Sequence, residues 1–248
     1  MTQGRPRCFV GTAGWSIPSI HAEAFPADGS HLERYAAVFP AAEINTSFYR
    51  PHRRSTYEQW SASTPPSFRF SVKAPKSVTH SDWSDIEPDL DAFFAETAGL
   101  GDKLGPILIQ LPPKRVFAAI EAGAFLSAFR DRTGGDIVLE PRHASWFGPE
   151  ADDLLQARRV ARVAADPPRA SGADRPGGWS GLAYFRLHGS PEIYRSSYAG
   201  ERLDALASVM RAAADAGSQT WCIFDNTTSY AAAGDALALV RLLGPGCR

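Results

Sequence analysis

Eight short apolar segments, each followed by polar or glycine-rich sequence, constrain the fold of this 248-residue chain more than any other feature. All are of strand length, and most are rich in β-branched or aromatic residues. The segments occupy residues 8–14, 42–48, 68–74, 106–111, 136–140, 160–165, 182–188 and 221–225. We therefore predict eight β-strands spread over nearly the whole chain.

Segments with helical periodicity fall between these strands, with apolar side chains recurring at spacings of three and four residues. The predicted helices occupy residues 31–39, 55–63, 88–100, 118–130, 150–159, 201–216 and 230–243. The second opens on Ser55, a predicted N-cap, with Glu58 at the spacing of a capping box. Residues 167–180 link the sixth and seventh predicted strands. They are rich in proline and glycine, so we predict a loop there instead of a helix. That loop either covers an active site or is a flexible surface segment.

Alternating strands and helices predict a parallel sheet with helical crossovers. Eight such units in about 250 residues match the size of a TIM-type (β/α)₈ barrel. An open, doubly wound sheet is the alternative, but the first strand ends in GTAGW and lacks the G-x-G-x-x-G turn of dinucleotide-binding folds. We predict one α/β barrel domain over residues 1–248, with its core at about 8–243 and the sixth helix replaced by the loop.

Composition excludes several classes of protein. Lys and Arg number 26 against 27 Asp and Glu, and the formal net charge of -1 excludes a generally basic nucleic-acid coat or an acidic tail protein. No apolar run approaches the length of a membrane span, and the first residues lack an apolar signal core. Three cysteines are too few for a disulfide framework, and an odd number fits a reducing compartment with free thiols. We predict a cytoplasmic protein without membrane contact.

Polar residues follow the apolar segments at the predicted carboxyl ends of all eight strands, which is where functional residues lie in a barrel of this type. Burying so many polar side chains together is unfavourable unless they pair with one another or with a ligand. We therefore predict a functional site there. The candidate catalytic residues are Lys73, Glu140 and His188, and the candidate substrate-binding residues are Glu43, Asn45, Tyr49, His80, Gln110, Arg142, Trp146, Arg186 and Asn226.

The same residues lie in motifs that resemble one family. The segments AAEINTSFYRPH, FRFSVKAPKSVTH, GPILIQLPP, EPRHASWF, YFRLHGS and WCIFDNT are together similar to the domain of unknown function 72 family, also called YecE-like. The combination is specific, whereas one motif alone would be weak. The resemblance covers about residues 10–243, and all the candidate residues match motif positions. It implies a TIM-type barrel but no established reaction.

Two positions depart from the pattern of that family. Pro141 stands between Glu140 and Arg142, where the family often has an aromatic or aliphatic residue. The last strand reads F-D-N-T where many members have F-x-N-D, so Asp225 matches the family less closely than Asn226 does.

The charged candidates have two interpretations. In the first, the cations form a cradle for a phosphate or carboxylate, because guanidinium groups bind such anions through two hydrogen bonds. These cations are Lys73, Arg142, Arg186 and His188. In the second, the cations belong to a ring of salt bridges in which Glu43 and Glu140 neutralise two of them. For acid–base chemistry Glu140 and His188 are the first candidates and Lys73 the third.

A divalent metal is an alternative ligand, for which the carboxylates and imidazole at the strand ends would be suitable donors. Those donors would be Glu140, Asp166, His188 and Asp225. Arg142 and Arg186 would compete for the carboxylates, and neither an H-x-H nor an H-E-x-x-H spacing is present. The sequence gives no evidence that a metal or another cofactor is required.

Three classes of function follow from these patterns. The leading hypothesis is an enzyme that does acid–base chemistry (hydrolysis, isomerisation or a lyase reaction) on a small phosphorylated or carboxylated substrate. The second is a protein that binds or processes nucleic acid through the same cations. The third is a non-catalytic barrel that binds a metabolite or a partner, and fold alone does not separate it from the first. The sequence does not indicate the oligomeric state.

Overall fold

The structure, a computed structural model, describes residues 8–244. Its strands are β1 (Cys8–Thr12), β2 (Ala41–Ile44), β3 (Arg69–Lys73), β4 (Leu104–Gln110), β5 (Ile137–Glu140), β6 (Val160–Arg162), β7 (Ala164–Asp166), β8 (Gly177–Gly178), β9 (Leu182–Leu187) and β10 (Gln219–Phe224). Its α-helices are α1 (His31–Ala36), α2 (Arg54–Ala62), α3 (Lys76–Thr79), α4 (Glu87–Thr97), α5 (Ala119–Arg130), α6 (Pro149–Ala157), α7 (Gly200–Asp215) and α8 (Ala231–Leu243). The predicted alternation of strands and helices is confirmed.

The strands form two sheets. One has the order β1–β10–β9–β7 and the other the order β2–β3–β4–β5–β6–β8. Every pairing is parallel except that of β6 with the two-residue β8, which is antiparallel. The molecule is therefore an α/β protein in which the carboxyl ends of the parallel strands lie at a common edge of each sheet.

The two sheets approach each other at two places. An isolated parallel bridge joins Ala13, just after β1, to Glu43 of β2, and the Gly14 amide donates to the Glu43 carbonyl at 2.8 Å. At the other place Val163 separates β6, which pairs with β5, from β7, which pairs with β9. The Val163 amide donates to the Leu139 carbonyl of β5 at 2.9 Å. The prediction of one continuous strand over 160–165 is therefore wrong, because the chain changes sheets at Val163.

Two apolar cores follow from the alternation of side chains along the strands. The larger lies between strands and helices and includes Tyr35 of α1, Phe93 of α4 and Phe129 of α5. The smaller contains strand residues from both sheets, among them Phe9 of β1 and Val138 of β5. One face of the strands thus packs against helices, and the opposite faces of the two sheets contact each other.

The helices lie where the sequence patterns predict them, but some ends differ, since α1 ends at Ala36 instead of residue 39 and α4 at Thr97 instead of residue 100. Arg53 is the N-cap of α2 and its side chain makes no capping hydrogen bond, so the prediction of a Ser55 cap is wrong. A complete capping box begins α1 instead, where the Ser30 hydroxyl accepts from the Glu33 amide and the Glu33 carboxylate accepts from the Ser30 amide. Residues 167–181 contain turns and β8 but no helix, which confirms the loop.

Two further expectations concern membranes and thiols. No helix within residues 8–244 is both long and apolar enough to cross a membrane. Cys222 is a buried free thiol, as expected. Cys8 is buried in β1 and disulfide-bonded, so the expectation of free thiols is wrong for that residue.

Candidate functional site

A fully buried arginine, Arg186 of β9, lies at the centre of the polar residues that follow the strands. Its Nε and Nη2 atoms donate to the two carboxylate oxygens of Glu43, at 3.1 and 2.7 Å. Nη1 donates to Glu140 Oε2 at 2.6 Å, and Nη2 also donates to Asp225 Oδ2 at 3.1 Å. Each nitrogen of the guanidinium group therefore has a carboxylate partner, and no part of the side chain is exposed to a ligand.

The pKa of Arg186 reflects these partners. Burial acts to lower it, but the negative charges of Glu43, Glu140 and Asp225 outweigh burial and hold the pKa well above its ordinary value. Arg186 is therefore a permanent cation whose charge is neutralised by carboxylates inside the protein. Its surroundings fit the second interpretation of the charged residues, a ring of salt bridges, and not an anion cradle.

His188, which directly follows β9, lies between two of the same carboxylates. Its Nδ1 is 3.0 Å from Asp225 Oδ2 and its Nε2 is 3.2 Å from Glu140 Oε1. Burial acts to lower the pKa of His188, but the charge of Glu140 and the hydrogen bonds to both carboxylates raise it above its ordinary value. Both ring nitrogens are thus occupied, and the arrangement favours an imidazolium.

Glu140, the last residue of β5, accepts from several donors at once. Besides Arg186 and His188, Gln110 Nε2 donates to its Oε2 at 3.0 Å. Gln110 and Glu140 are register partners on the adjacent parallel strands β4 and β5. Their side chains therefore lie next to each other on the same face of the sheet. Burial acts to raise the pKa of Glu140, but Arg186 and His188 hold it well below its ordinary value. The group is a carboxylate at neutral pH.

We call Glu43, Glu140, Arg186, His188 and Asp225 the saturated cluster, because each charged group in it is held by others of the set. The same balance applies to Asp225, whose pKa burial would raise but Arg186 and His188 lower. Alternation along β9 explains why these groups converge, since Arg186 and His188 are two residues apart on one face.

Lys73, the last residue of β3, differs from the saturated cluster. Its side chain is 7% exposed, and its Nζ lies 4.1 Å from the centre of the Phe48 ring. Among residues 8–244, Nζ has neither a hydrogen-bond nor an ion-pair partner. Burial, followed by repulsion from Arg186, lowers the pKa of Lys73 to about 8. Lys73 is therefore a buried amine that changes protonation state close to neutral pH.

Arg142 and His80 lie beside Lys73. The Arg142 side chain is 19% exposed, its Nε is 3.6 Å from Glu140 Oε1, and that distance is too long for a hydrogen bond. His80 Nδ1 is 2.9 Å from the Thr79 hydroxyl. Burial lowers the pKa of His80, and the positive charges of Lys73, Lys76, Arg142 and Arg115 lower it further. We call Lys73, His80 and Arg142 the open side of the site.

A surface cleft of about 650 Å³ adjoins the open side. Its lining includes His80 and the segment from Pro112 to Val116, with the cations Lys114 and Arg115. The lining also includes Glu121. Solvent thus reaches the open side at His80, through a cleft in which two cations face one carboxylate.

The two predicted asparagines have different surroundings. Asn45 Nδ2 donates to Asp225 Oδ1 at 3.3 Å, and its Oδ1 is buried without a hydrogen-bond partner in the described part of the chain. Asn226 Nδ2 donates to Asp235 of α8 at 2.7 Å and to the Ser196 carbonyl at 2.9 Å. Asn45 therefore joins the site, whereas the amide nitrogen of Asn226 fixes a loop to α8.

Two aromatic candidates lie away from the cluster. Tyr49 is 81% exposed, and its ring packs edge-on against Phe48. Trp146 is fully buried, and its indole Nε1 donates to the Arg115 carbonyl at 2.9 Å. In the structure Trp146 holds the segment that lines the cleft.

Tyr184 is a site residue that the sequence patterns did not single out. Its hydroxyl donates to Glu43 Oε2 at 2.9 Å and lies 2.8 Å from Ser71 Oγ. Burial and the charge of Glu43 raise the pKa of Tyr184 well above its ordinary value, so the phenol stays protonated. The signal was present, because Tyr184 is two residues before Arg186 on the same face of β9.

The metal alternative has no support from the arrangement of the proposed donors. Within residues 8–244, no three His, Cys, Asp or Glu side chains form a group that could hold a metal ion. Asp166 accepts from the Arg202 guanidinium and from the Tyr198 hydroxyl. Asp225 and Glu140 are taken up by Arg186 and His188.

The fold and the site define an α/β protein with a buried cluster of mutually paired charges at the carboxyl ends of parallel strands. The family described as "Protein of unknown function DUF72" matches residues 9–247. The chain therefore belongs to the DUF72 family, as its motifs predicted.

Two curated relatives are similar to part of this chain. UPF0759 protein YunF of Bacillus subtilis is 30% identical over 153 residues, which are 57% of this chain and 52% of that protein. UPF0759 protein YecE of Escherichia coli (strain K12) is 30% identical over 166 residues, 64% of this chain and 58% of that protein. The matched region spans little more than half the length of these relatives.

Solved structures agree with the fold. A DUF72 family protein from Thermotoga maritima superposes with a TM-score of 0.78 at 26% identity, covering 95% of this chain and 98% of that one. A DUF72 family protein from Enterococcus faecalis gives a TM-score of 0.80 at 20% identity, with 95% of both chains covered. None of these names states a reaction.

Proposed function

We propose that this protein is an enzyme that does acid–base chemistry on a small anionic substrate, bound on the open side of the site. The observation that carries the proposal is the contrast between Lys73, whose amine is unpaired and titrates near neutral pH, and the saturated cluster beside it. Perturbed titratable groups next to a cleft are typical of catalytic sites.

We further propose that the two sheets together form one TIM-type barrel domain. The Ala13–Glu43 bridge and the change of sheets at Val163 support closure at both junctions. The smaller apolar core, which takes residues from both sheets, supports an enclosed interior. In such a barrel the carboxyl ends of the strands are the usual location of an active site.

The geometry favours a particular division of roles. Arg142 is the cation best suited to hold the anionic group of the substrate, because its Nε is not hydrogen-bonded and part of the side chain is exposed. His80 adjoins it, in a region of converging positive charge. Arg186, in contrast, has no unoccupied donor, so its role is to fix the carboxylates.

The same reasoning ranks Lys73 ahead of Glu140 and His188 as the group that moves a proton. Glu140 is held as a carboxylate, and both nitrogens of His188 already face carboxylates. Lys73 has a pKa of about 8, and its Nζ has no hydrogen-bond or ion-pair partner among the described residues. A general acid or base works best when its pKa lies near the working pH. The Oδ1 of Asn45, which has no partner, would orient a polar group of the substrate.

Calorimetric titration with inorganic phosphate tests the anion part of this proposal. We expect phosphate to bind the wild-type protein and Arg142→Gln to weaken that binding by about tenfold or more, since a charged hydrogen bond contributes about 1.5–3 kcal/mol. Arg54→Gln is the matched control, because Arg54 lies on α2 and pairs only with Glu58. Unchanged phosphate affinity in Arg142→Gln, with the fold verified by circular dichroism, would contradict the proposal.

Binding or processing of nucleic acid and non-catalytic binding of a metabolite stay predictions, as does the cytoplasmic location. A labelled single-stranded oligonucleotide, titrated at low and moderate salt, would separate the first from binding of small anions, because nucleic-acid affinity falls steeply with salt.

A further inference from the structure

Within residues 8–244, the ammonium group of Lys73 makes no hydrogen bond to an oxygen or nitrogen acceptor, unlike that of Lys103. Lys103, which is also partly buried, donates from its Nζ to the carbonyls of Ser61 and Thr64. The Nζ of Lys73 instead lies over the face of the Phe48 ring at 4.1 Å. The carboxylates that exert a charge effect on Lys73 belong to the saturated cluster and are occupied by Arg186 and His188.

The rest of Lys73 is well fixed. Its backbone carbonyl accepts from the Ser47 hydroxyl at 2.7 Å, and its amide belongs to β3, which is paired on both sides. The side chain is 7% exposed, so water approaches Nζ from few directions. A fixed, poorly hydrated amine without hydrogen-bond partners has the properties of a nucleophile as well as those of a proton carrier.

We propose that Lys73 forms a covalent imine with an aldehyde or ketone substrate that carries a carboxylate or phosphate. This inference rests on the proposed function, since it places the anionic group of the substrate at Arg142 and the carbonyl carbon at Nζ. The lowered pKa of Lys73 supports it, because a pKa of about 8 leaves a much larger neutral fraction near pH 7 than an exposed lysine has.

The chemistry balances without an oxidant, a reductant or a cofactor. Nζ, as a neutral amine, adds to the carbonyl carbon, and the carbonyl oxygen becomes a hydroxyl by taking one of the amine hydrogens. The nitrogen lone pair then forms the C=N bond while the C–O bond breaks. The oxygen leaves as water with the second amine hydrogen. Protonation of the imine restores one positive charge, which replaces the ammonium charge near Glu43, Glu140 and Asp225.

Reductive trapping tests this step on the full chain. The protein is incubated with pyruvate or with glycolaldehyde phosphate, reduced with sodium borohydride, digested and mapped by mass spectrometry. We expect a stable secondary amine on Lys73, formed at pH 8 at least about tenfold faster than on exposed Lys76, because burial lowers the pKa of Lys73 and leaves more of it as the neutral amine. Labelling of Lys73 should rise with a midpoint near pH 8, because burial lowers the pKa of its amine to about 8.

Two variants complete the experiment. Lys73→Arg keeps a positive charge but cannot form the imine, so it should lose the label at this position. Lys103→Arg should leave the labelling of Lys73 unchanged. Absence of trapping on Lys73 with both probes, or equal labelling of Lys73 and Lys76, would overturn the imine proposal. If phosphate binding still depends on Arg142 in that case, the proposed function stands and only the covalent step fails.

Discussion

The saturated cluster and the open side lie at the same end of the strands and both contain an arginine and a histidine, but their charges are used differently. In the saturated cluster every nitrogen of Arg186 meets a carboxylate, and both nitrogens of His188 do as well. On the open side the Nζ of Lys73 and the Nε of Arg142 lack hydrogen bonds to described residues. Hydrogen-bonded ion pairs inside the protein make a charge structural, whereas a charged group that lacks those hydrogen bonds is available for a ligand.

The largest expected effect comes from breaking the saturated cluster. Arg186→Met should lower the free energy of unfolding by about 3–5 kcal/mol, because it leaves three buried carboxylates without their shared cation. Urea denaturation measures the loss, with Arg54→Met as the control, for which an exposed pair predicts a change below about 1 kcal/mol. If Arg186→Met proves as stable as the control, the cluster has no structural role.

Lys73→Met is expected to change the free energy of unfolding in the opposite direction, making the protein more stable. The pKa of Lys73 in the folded protein, about 8, lies below its ordinary 10.5, so folding is penalised wherever the unfolded chain carries the proton. The charged groups around it are Glu43, Glu140, Arg186, Asp225, Arg142 and His80. The variant should be more stable by up to about 3 kcal/mol at pH 7, at 1.36 kcal/mol for each unit of pKa.

That gain should shrink as the pH rises from about 8 towards 10.5, because the lysine then becomes neutral in both states. Exposed Lys76→Met is the control and should change stability little at either pH. Destabilisation by Lys73→Met at neutral pH would show that Lys73 stabilises the fold. The open side would then have the same structural role as the saturated cluster.

A smaller effect is expected for Tyr184→Phe, which removes the hydroxyl that donates to Glu43. A hydrogen bond to a buried carboxylate predicts a loss of about 1.5–3 kcal/mol in the free energy of unfolding. Tyr57→Phe is a matched control, since the Tyr57 hydroxyl is equally buried but has no hydrogen-bond partner within residues 8–244. Equal losses in the two variants would mean that Tyr184 contributes by packing alone.

The smallest expected effect is the dependence of the free energy of unfolding on pH that His188 confers. Because its pKa is raised in the folded protein, its ionic stabilisation is fully present below its ordinary value of 6.5 and is lost as the pH rises through the higher folded value. His188→Asn should therefore cost more stability below pH 6.5 than above it, as measured by urea denaturation. Exposed His31→Asn is the control. A difference between wild type and His188→Asn that does not vary with pH would show that the imidazole is not charged in the cluster.

Local patterns predicted the positions of strands and helices because those positions depend on short-range periodicity. The apolar alternation of β9 and the helical spacing of α5 are each complete within one segment. The errors have equally local causes. Ser55 has the right composition for a cap, but the helix begins one residue earlier at Arg54, and Val163 lies inside an unbroken apolar run although the chain changes sheets there.

The sequence could predict which residues form the site, but it could not predict which of them pair with one another and which remain available for a ligand. Alternation placed Arg186 and His188 on one face, and register placed Gln110 beside Glu140. The sequence could not tell that Arg186 would be enclosed by carboxylates while the Nε of Arg142 made no hydrogen bond to a described residue. That outcome depends on distances between side chains that are separated by up to 180 residues, as for Asn45 and Asp225.

The sequence by itself therefore determined the strand–helix order, the family and the chemical composition of the strand ends, because each depends on residues that are near one another along the chain. Only the tertiary structure decided which charges are neutralised inside the protein and which remain available. The reason is physical: the pKa of a buried group depends on its burial and on charges within a few ångströms, and long-range folding sets both. Lys73 and Arg186 look alike as cations at strand ends, but three carboxylates hold Arg186, whereas the Nζ of Lys73 has no hydrogen-bond partner among the described residues.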